Sequence, residues 1–527
     1  MMSITKVGFV LMTLLATVQC QDGAPAPNAA APAGAPAPDN AAAPAPPAPD
    51  MAGMFAAAYN QDIIINSDLF SDKPEILSGG LGFTNIIGVS NNTDEAVVRA
   101  ANGTWSANVT CSSGAPPPGR VLTSATPTTM YTTGFNCTAD NYDGLPVCFS
   151  WPVLPSSISN TSFLITLSDG STVVPPCIGM SPNFEFNERQ CVVLFAKFGN
   201  RIPSTEPGSL FVSRVEVVQG ASLKLVGKSG PVSAAGLSFD NPTGKRAAAC
   251  ILAHTQTRPV HAACKSPYDD NNGPVIMVAK LSKLNDVGEG ISQPPIAPQT
   301  AFPNSGVSLY GAYDGSLGPD GDRYRLRLFY SGGMTPDGVM AFQPTKFATH
   351  FYLMASDADG QEVRINATGV EYDLGQQLGS IQVLGMADTG VVQDSYDECY
   401  QASRNLASSS SRANCKQAAE DYDNYLDVIL DASSPEAAAS LTTLMAFQTD
   451  EGYTPLYNPG GPGNDPTPGV RYSSPSPPQS VNITLALDDP MVVTYCNLNG
   501  TLITNPEACA AAVAPAPTPA PAPAPAA

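Results

Sequence analysis

The fold is decided by residues 184–201, which read FEFNERQCVVLFAKFGNR. The stretch opens with Phe184 and Phe186 alternating with polar neighbours, and it continues as an unbroken apolar run over residues 191–196. Alternation is typical of a half-buried strand, and a short continuous apolar run that ends in turn residues is typical of a fully buried one. We therefore expect this stretch to form a central strand of a β core.

Strand patterns recur on both sides of this stretch. Residues 162–167 and 172–174 are joined through Asp169-Gly170, and an Asp-Gly pair between two β patterns predicts a hairpin. Residues 323–330 alternate strictly, so three arginines share one face of the predicted strand and Tyr and Leu side chains share the other. Further strands are expected over the following segments: 62–65, 210–218, 222–226 and 275–281.

Helical patterns are concentrated near the end of the chain. Residues 414–430 place apolar side chains at helical spacing, and Ser434-Pro435 supplies an N-cap and a first-turn proline for a second helix over 437–447. The expected fold class is mainly β: β-sandwich-type domains with a small helical subdomain near the C-terminal end, and disordered Pro/Ala arms at both ends.

The predicted organisation places one long body between an export signal and two arms. Lys6 precedes an apolar segment that is too short to span a bilayer, as in a secretory signal, and no later stretch is long enough for a membrane anchor. The predicted segments are a signal peptide (1–20), an Ala/Pro-rich arm (21–50), an N-terminal β domain (51–202), a second β domain (203–392), a helical subdomain (393–450), a C-terminal loop and strand region (451–509) and an Ala/Pro tail (510–527).

The N-terminal arm is almost entirely Ala, Pro, Asn, Gly and Asp, and the end of the chain repeats its Ala-Pro pattern, which favours an extended, solvated chain. Their pattern resembles the Ala-Pro glycomodules of plant and green-algal cell-wall glycoproteins. That resemblance implies hydroxylated, glycosylated proline in a cell wall. The alternative is that both arms are plain linkers or tails.

Cysteine usage indicates an oxidising compartment. Eleven of the 12 cysteines follow the expected signal, and in an exported protein most of them pair. Three short-range pairs are expected: Cys250–Cys264, Cys399–Cys415 and Cys496–Cys509. An odd number leaves one cysteine over. We expect Cys191, inside the apolar run, to be an inert free thiol, and the alternative is a disulfide that links two chains.

Sequons for N-glycosylation predict a glycoprotein. They occur at eight asparagines: Asn91, Asn102, Asn108, Asn136, Asn160, Asn366, Asn482 and Asn499.

The formal charge of −21 argues against nucleic acid and anionic membranes as partners, because both require a basic surface. The exception to this acidity is the arginine ladder Arg323, Arg325 and Arg327. It predicts binding of an acidic polysaccharide or an acidic neighbour. The alternative is the solvated face of an edge strand.

Calcium is the one cofactor for which the sequence offers candidates. Asp269, Asp270 and Asn272 lie in one polar loop, and Asp423 and Asp427 would share a face of the predicted helix. The run Asp357-Ala358-Asp359-Gly360 also resembles a calcium loop, but its context predicts a hairpin turn.

Catalytic signatures are weak. Residues 387–390 resemble the Asp-Thr-Gly motif of aspartic proteases, but the second copy that a shared proton requires is missing. The three histidines, His254, His261 and His350, have no metalloprotease spacing. A glycosidase remains an alternative hypothesis, because it needs only two well-placed carboxylates, such as Glu185 with Glu188 or Asp269 with Asp270.

These features favour a secreted structural or interaction protein of a cell wall, extracellular matrix or surface layer, with extracellular polysaccharide or matrix proteins as partners. The alternatives are a secreted carbohydrate-active hydrolase with a carboxylate pair, and a binding module for calcium or polysaccharide.

Overall fold

The computed structural model describes these residues: 60–79, 83–87, 95–100, 137–138, 141–180, 186–199, 207–240, 276–284, 306–331, 342, 344–387, 392–393, 417–418, 424–446 and 479–513. The predicted signal peptide and N-terminal arm lie outside them, as do the disulfide candidates Cys250, Cys264, Cys399 and Cys415.

Strands dominate the described residues, which confirms the predicted mainly β class. They are β1 (Ile63–Asp68), β2 (Ile76–Gly79), β3 (Phe83–Ile87), β4 (Tyr142–Phe149), β5 (Phe163–Leu167), β6 (Thr172–Val173), β7 (Cys177–Gly179), β8 (Cys191–Ala196), β9 (Val212–Val217), β10 (Lys224–Gly227), β11 (Gly230–Ser233), β12 (Ser238–Asp240), β13 (Ile276–Lys283), β14 (Asp322–Tyr330), β15 (Phe351–Ser356), β16 (Glu362–Ile365), β17 (Glu371–Asp373), β18 (Ser380–Ala387), β19 (Val392–Gln393), β20 (Gln417–Ala418), β21 (Tyr425–Ala432), β22 (Leu441–Ala446), β23 (Gln479–Leu485), β24 (Val492–Leu498) and β25 (Thr501–Ile503).

The helices of the described part are short. They are α1 (Glu95–Ala100), α2 (Gly306–Tyr310), α3 (Phe347–His350), α4 (Pro435–Ala439) and α5 (Pro506–Val513), with 3-10 turns at Pro155–Ser157, Asn160–Ser162 and Pro344–Lys346. Two of them, α4 and α5, lie near the C-terminal end, and α5 extends to Val513, inside the segment predicted as the Ala/Pro tail.

The first predicted C-terminal helix is wrong where the structure describes it. Within 414–430, residues 417–418 and 425–430 belong to strands β20 and β21. The start of the second helix is correct, because the Ser434 hydroxyl accepts a hydrogen bond from the N–H of Ala437 and Pro435 occupies the first turn. That helix ends at Ala439, however, and the chain continues as β22. Pairing of β21 with β14 along eight residues outweighs its helical spacing.

The largest sheet has nine strands in the order β16-β15-β22-β23-β13-β14-β21-β18-β17. Side chains from both halves of this sheet, such as Leu326 of β14 and Leu353 of β15, belong to one buried apolar core. The sheet therefore folds over a single core in the manner of a sandwich.

A second, five-stranded sheet holds the stretch from which the fold was predicted. Its path is β2-β4-β8-β7, with β3 as the fifth strand paired to β4. Strand β8 pairs on one side with β4 and on the other with β7. Every residue of β8 is buried, which confirms the predicted buried strand. Next to it, β12-β9-β5-β6 form a four-stranded sheet whose side chains share a core with β4 and β8.

Strand pairing also joins distant parts of the chain. Strand β5 pairs with β9, and the domain boundary predicted between residues 202 and 203 lies between these two strands in the sequence. Strand β1 pairs with β24 near the C-terminus. One extra residue at Asn66, which has φ of 49°, shifts the β1 register and sets the position of Asp68.

The described cysteines form three disulfides: Cys137–Cys177, Cys148–Cys191 and Cys496–Cys509. The last is the short-range pair expected from spacing. The expectation that Cys191 is a free thiol is wrong, because antiparallel pairing of β4 with β8 sets Cys148 directly opposite, with a Cα–Cα distance of 4.1 Å. Disulfides of this kind are typical of proteins that mature outside the reducing cytosol.

None of the helices in the described ranges has both the length and the apolar character needed to cross a bilayer.

Candidate functional site

Eight buried ionisable side chains lie on the face of the nine-stranded sheet opposite its apolar core. We call them the charge layer: Lys280, Arg323, Arg325, Arg327, Asp68, Glu188, Asp427 and Asp431, each at most 5% exposed. Three strands of the sheet, β13, β14 and β21, supply six of them. The other two, Asp68 and Glu188, come from β1 and from the segment that precedes β8. Four bases therefore face four acids.

Two of the pairs follow directly from the register of β14 and β21. Arg323 lies opposite Asp431, and Arg327 lies opposite Asp427. Each guanidinium holds its carboxylate through two hydrogen bonds, at 2.7 and 2.9 Å for Arg323 and at 2.8 and 2.7 Å for Arg327. Such bidentate geometry is the strongest form of the Arg–carboxylate pair. The third nitrogen of Arg323 donates to the carbonyl of Tyr310, the last residue of α2, and to those of Gly311 and Ala312 at 2.8 and 3.0 Å.

The centre of the charge layer is Asp68, whose side chain is fully buried. Its carboxylate lies 2.5 Å from Nζ of Lys280, 3.1 Å from a terminal nitrogen of Arg325 and 3.2 Å from one of Arg327. Burial alone would raise the pKa of Asp68, but the attraction of these three cations outweighs burial and lowers its pKa well below the usual range. Asp68 is therefore an ionised structural acid.

Residues 186–190 hold Asp68 in place. The amide of Gln190 donates to the hydroxyl of Ser67 at 3.0 Å and to the carbonyl of Asp68 at 2.8 Å, and the Ser67 hydroxyl donates to the carbonyl of Asn187 at 2.7 Å. From the same segment, Glu188 reaches Arg327 at 3.6 Å. The proposed partnership of Glu185 and Glu188 in catalysis therefore has one member in a buried ion pair, and the other lies outside the described residues.

The arginine ladder is not a solvated surface, and its strand is not at an edge. Arg323, Arg325 and Arg327 are 5%, 3% and 1% exposed, and β14 lies between β13 and β21 inside the nine-stranded sheet. The expectation of an exposed arginine face was wrong because the acids that neutralise the three arginines lie about 100 residues or more away in sequence. This burial leaves the three arginines no contact with an external polysaccharide.

Asp427 likewise belongs to the charge layer. It lies in a strand, so the helix face that it was expected to share with Asp423 does not exist, and both of its oxygens bond Arg327. This placement assigns Asp427 to an ion pair rather than to a calcium site. The other calcium candidates, Asp423, Asp269, Asp270 and Asn272, lie outside the described residues.

The run Asp357-Ala358-Asp359-Gly360, which resembles a calcium loop, forms the turn of a hairpin, as its context predicted. Asp357 Oδ1 accepts hydrogen bonds from the N–H groups of Asp359 and Gln361 at 3.0 and 2.7 Å, and Gly360 adopts φ of 77° between β15 and β16. Within the described part of the chain, no group of three or more His, Cys, Asp or Glu side chains is placed to hold a metal ion.

His350 is buried at the end of α3 and stacks edge-on against Phe342, with ring centroids 5.1 Å apart. Burial disfavours the imidazolium and, together with nearby Lys346, lowers the pKa of His350 to about 4. The other two histidines and the Asp-Thr-Gly motif at 388–390 lie outside the described residues.

The sequons that the structure describes are all exposed, as attachment of a glycan requires. They are Asn160, Asn366, Asn482 and Asn499. Asn499 occupies the turn between β24 and β25 with φ of 52°. The other four, Asn91, Asn102, Asn108 and Asn136, lie outside the described residues, and glycosylation itself stays a prediction.

A groove of about 710 Å³ lies among the described residues, and we call it the Trp151 groove. Five separate segments meet there: the loop after β1, Trp151 after β4, the β10–β11 turn, α4 and residues 485–491. Its apolar members include buried Leu69 and half-buried Trp151, and its exposed members include four carboxylates and Lys228. The sequence offered no local signal for it, because these segments are far apart along the chain.

The charge layer also fixes one wall of the Trp151 groove. Besides Asp68, Nζ of Lys280 donates to the carbonyls of Pro490 and Met491 at 2.7 and 2.9 Å. Trp151 is fixed as well, because its indole N–H donates to the carbonyl of Ser71 at 2.8 Å. The groove is therefore a preformed feature of the fold, as ligand sites usually are.

No protein-family model matches this chain, and neither a curated protein nor a solved structure matches it significantly.

Replacing Asp68 with Asn tests the charge layer. The exchange keeps the shape of the side chain but removes the negative charge that three buried cations share. We expect the free energy of unfolding, measured in urea at neutral pH, to fall by about 3–5 kcal/mol.

The matched control is Asp240→Asn, whose carboxylate is 77% exposed and pairs with Arg214. That change should cost less than about 1 kcal/mol. Equal effects of the two substitutions would contradict the structural role of Asp68.

The lowered pKa of His350 predicts a pH dependence of stability. The unfolded chain binds a proton near the ordinary histidine pKa, whereas the folded chain binds it only near pH 4. Stability is therefore lost as the pH falls from about 7 toward 4. We expect the free energy of unfolding to fall more over this range for the wild-type protein than for the His350→Gln variant. The difference between the two losses should be at most about 3 kcal/mol. Parallel pH profiles of unfolding for the two proteins would show that His350 does not titrate as described.

Proposed function

We propose that this chain is a secreted structural or interaction protein of a cell wall, extracellular matrix or surface layer. The observation that carries the proposal is the charge layer. The pKa of Asp68 lies well below its usual range because three cations enclose its carboxylate, which does not face a cleft. The role of Asp68 is therefore to bind β1 to the nine-stranded sheet through ion pairs.

Other features support the same proposal. Disulfides cross-link the described body at three places. The four described sequons are exposed, and Ala/Pro-rich sequence flanks the body on both sides. A cross-linked body flanked by Ala/Pro-rich sequence suits a protein that is retained in a matrix.

The second candidate is a carbohydrate-active hydrolase, and it is favoured by the several carboxylates of the Trp151 groove. A glycosidase needs two facing carboxylates, one of which stays protonated in a shielded environment. Asp72, Glu436 and Asp488 are instead exposed. Binding therefore suits this groove better than hydrolysis does.

Fractionation of producing cells tests the proposed function. We expect most of the native protein in the wall or matrix fraction after washing in low salt, and its cysteines oxidised. A co-expressed secreted protein of similar size, expected in the medium, is the control. Recovery of the chain free in the medium, or reduced in the cytosol, would contradict the proposal.

A further inference from the structure

The Trp151 groove carries more negative charge than the protein neutralises. Its carboxylates are Asp72, Glu436, Asp488 and Asp489, and its single cation is Lys228. Lys228 is already paired with Asp489, and this pair lowers the pKa of Asp489. The other three carboxylates have no hydrogen-bonding or ion-pair partner among the described residues.

These three carboxylates reach the groove from different parts of the chain. Asp72 follows β1, Glu436 lies in the first turn of α4, and Asp488 follows β23. Their convergence concentrates negative potential over one concave surface, and such a surface attracts and orients a cationic ligand.

The groove also offers apolar area. Leu485 is 43% exposed, and Trp151, which also lines the groove, is half-buried. Gly227 packs against the six-membered ring of Trp151 so closely that a Cβ atom at this position would collide with it. An aromatic ring beside carboxylates suits a cation on an aliphatic stem, because the stem covers apolar surface while its charge meets the acids.

We propose that the Trp151 groove binds a basic, partly apolar peptide segment of a partner protein. Lys or Arg side chains of that segment pair with Asp72, Glu436 and Asp488, and its apolar side chains cover Leu485. This inference rests on the proposed function and names the chemistry of the matrix partner.

A neutral oligosaccharide fits the groove less well than a basic peptide does. Sugar hydroxyls can donate to carboxylates, but they leave three negative charges uncompensated. The volume of about 710 Å³ lies within the range of roughly 300–1,000 Å³ that is usual for ligand sites, and it admits only a short segment. Lys280 already fixes the wall of the groove around residues 490 and 491, so this wall does not have to become ordered when a ligand binds, and less entropy is lost.

The test measures binding of a fluorescent, end-capped peptide of alternating lysine and leucine to the purified full-length protein by fluorescence anisotropy. The groove variant carries Asp72→Asn, Glu436→Gln and Asp488→Asn. The matched control carries Asp320→Asn, Glu362→Gln and Glu371→Gln, which removes the same charge from exposed acids that do not line the groove.

We expect the groove variant to bind the peptide about tenfold more weakly than wild type, because each exposed ion pair contributes about a factor of two. The control variant should bind within about twofold of wild type, and salt should weaken the wild-type complex. Equal losses of peptide affinity in both variants would show that binding depends on the net charge of the chain rather than on the groove, and would overturn the proposal.

Two further outcomes would also overturn it: no binding of the basic peptide, or tighter binding of a neutral cello-oligosaccharide than of the peptide. The peptide assay uses purified protein and fractionation uses producing cells. Failure of the groove proposal is therefore distinguishable from failure of the proposed matrix function.

Discussion

The carboxylate of Asp68 is the interaction on which the rest of the structure depends. It is fully buried, and it meets one cation from β13 and two from β14. An isolated buried carboxylate would cost several kcal/mol, and so would each uncompensated base. The eight members of the charge layer are therefore stable only together, with four positive and four negative groups in place. This mutual dependence fixes β1 and the segment before β8 onto the outer face of the nine-stranded sheet.

This attachment also explains why strands of the large sheet are buried on both faces. On β14, the side chains of Tyr324, Leu326, Leu328 and Tyr330 face the apolar core, while the arginines and Phe329 face the other way. Phe329 stacks on Phe70 with ring centroids 4.8 Å apart, beside the Cys148–Cys191 disulfide. Asn424 donates to both sulfurs of that disulfide, at 3.2 and 3.3 Å. Charge and aromatic packing thus join the two sheets at one interface, beside the disulfide that links β4 to β8 within the five-stranded sheet. Lys280 extends that interface to the Trp151 groove.

Local pattern predicted the strands better than it predicted their surroundings. The buried β8 and the alternating β14 were found from apolar spacing alone, because strand periodicity is a property of neighbouring residues. The burial of the arginines was missed because their acids are distant in sequence. One signal was present: Arg323 and Arg327 are four residues apart, as are Asp427 and Asp431, which is the spacing of two matched pairs in antiparallel strands. The same apolar and acidic spacing was mistaken for a helix, and only pairing with β14 decides between the two. The Cys148–Cys191 disulfide and the groove depend on register and on converging segments, which periodicity does not contain.

Native-state hydrogen exchange in increasing urea tests most directly whether the charge layer joins the two sheets into one cooperative unit. The amides to compare are those of β8 in the five-stranded sheet and of β14 in the nine-stranded sheet. The account predicts that the most protected amides of both strands share one free energy of opening, within about 0.5 kcal/mol, and one urea dependence. Two separate free energies, with one sheet opening while the other stays protected, would contradict it.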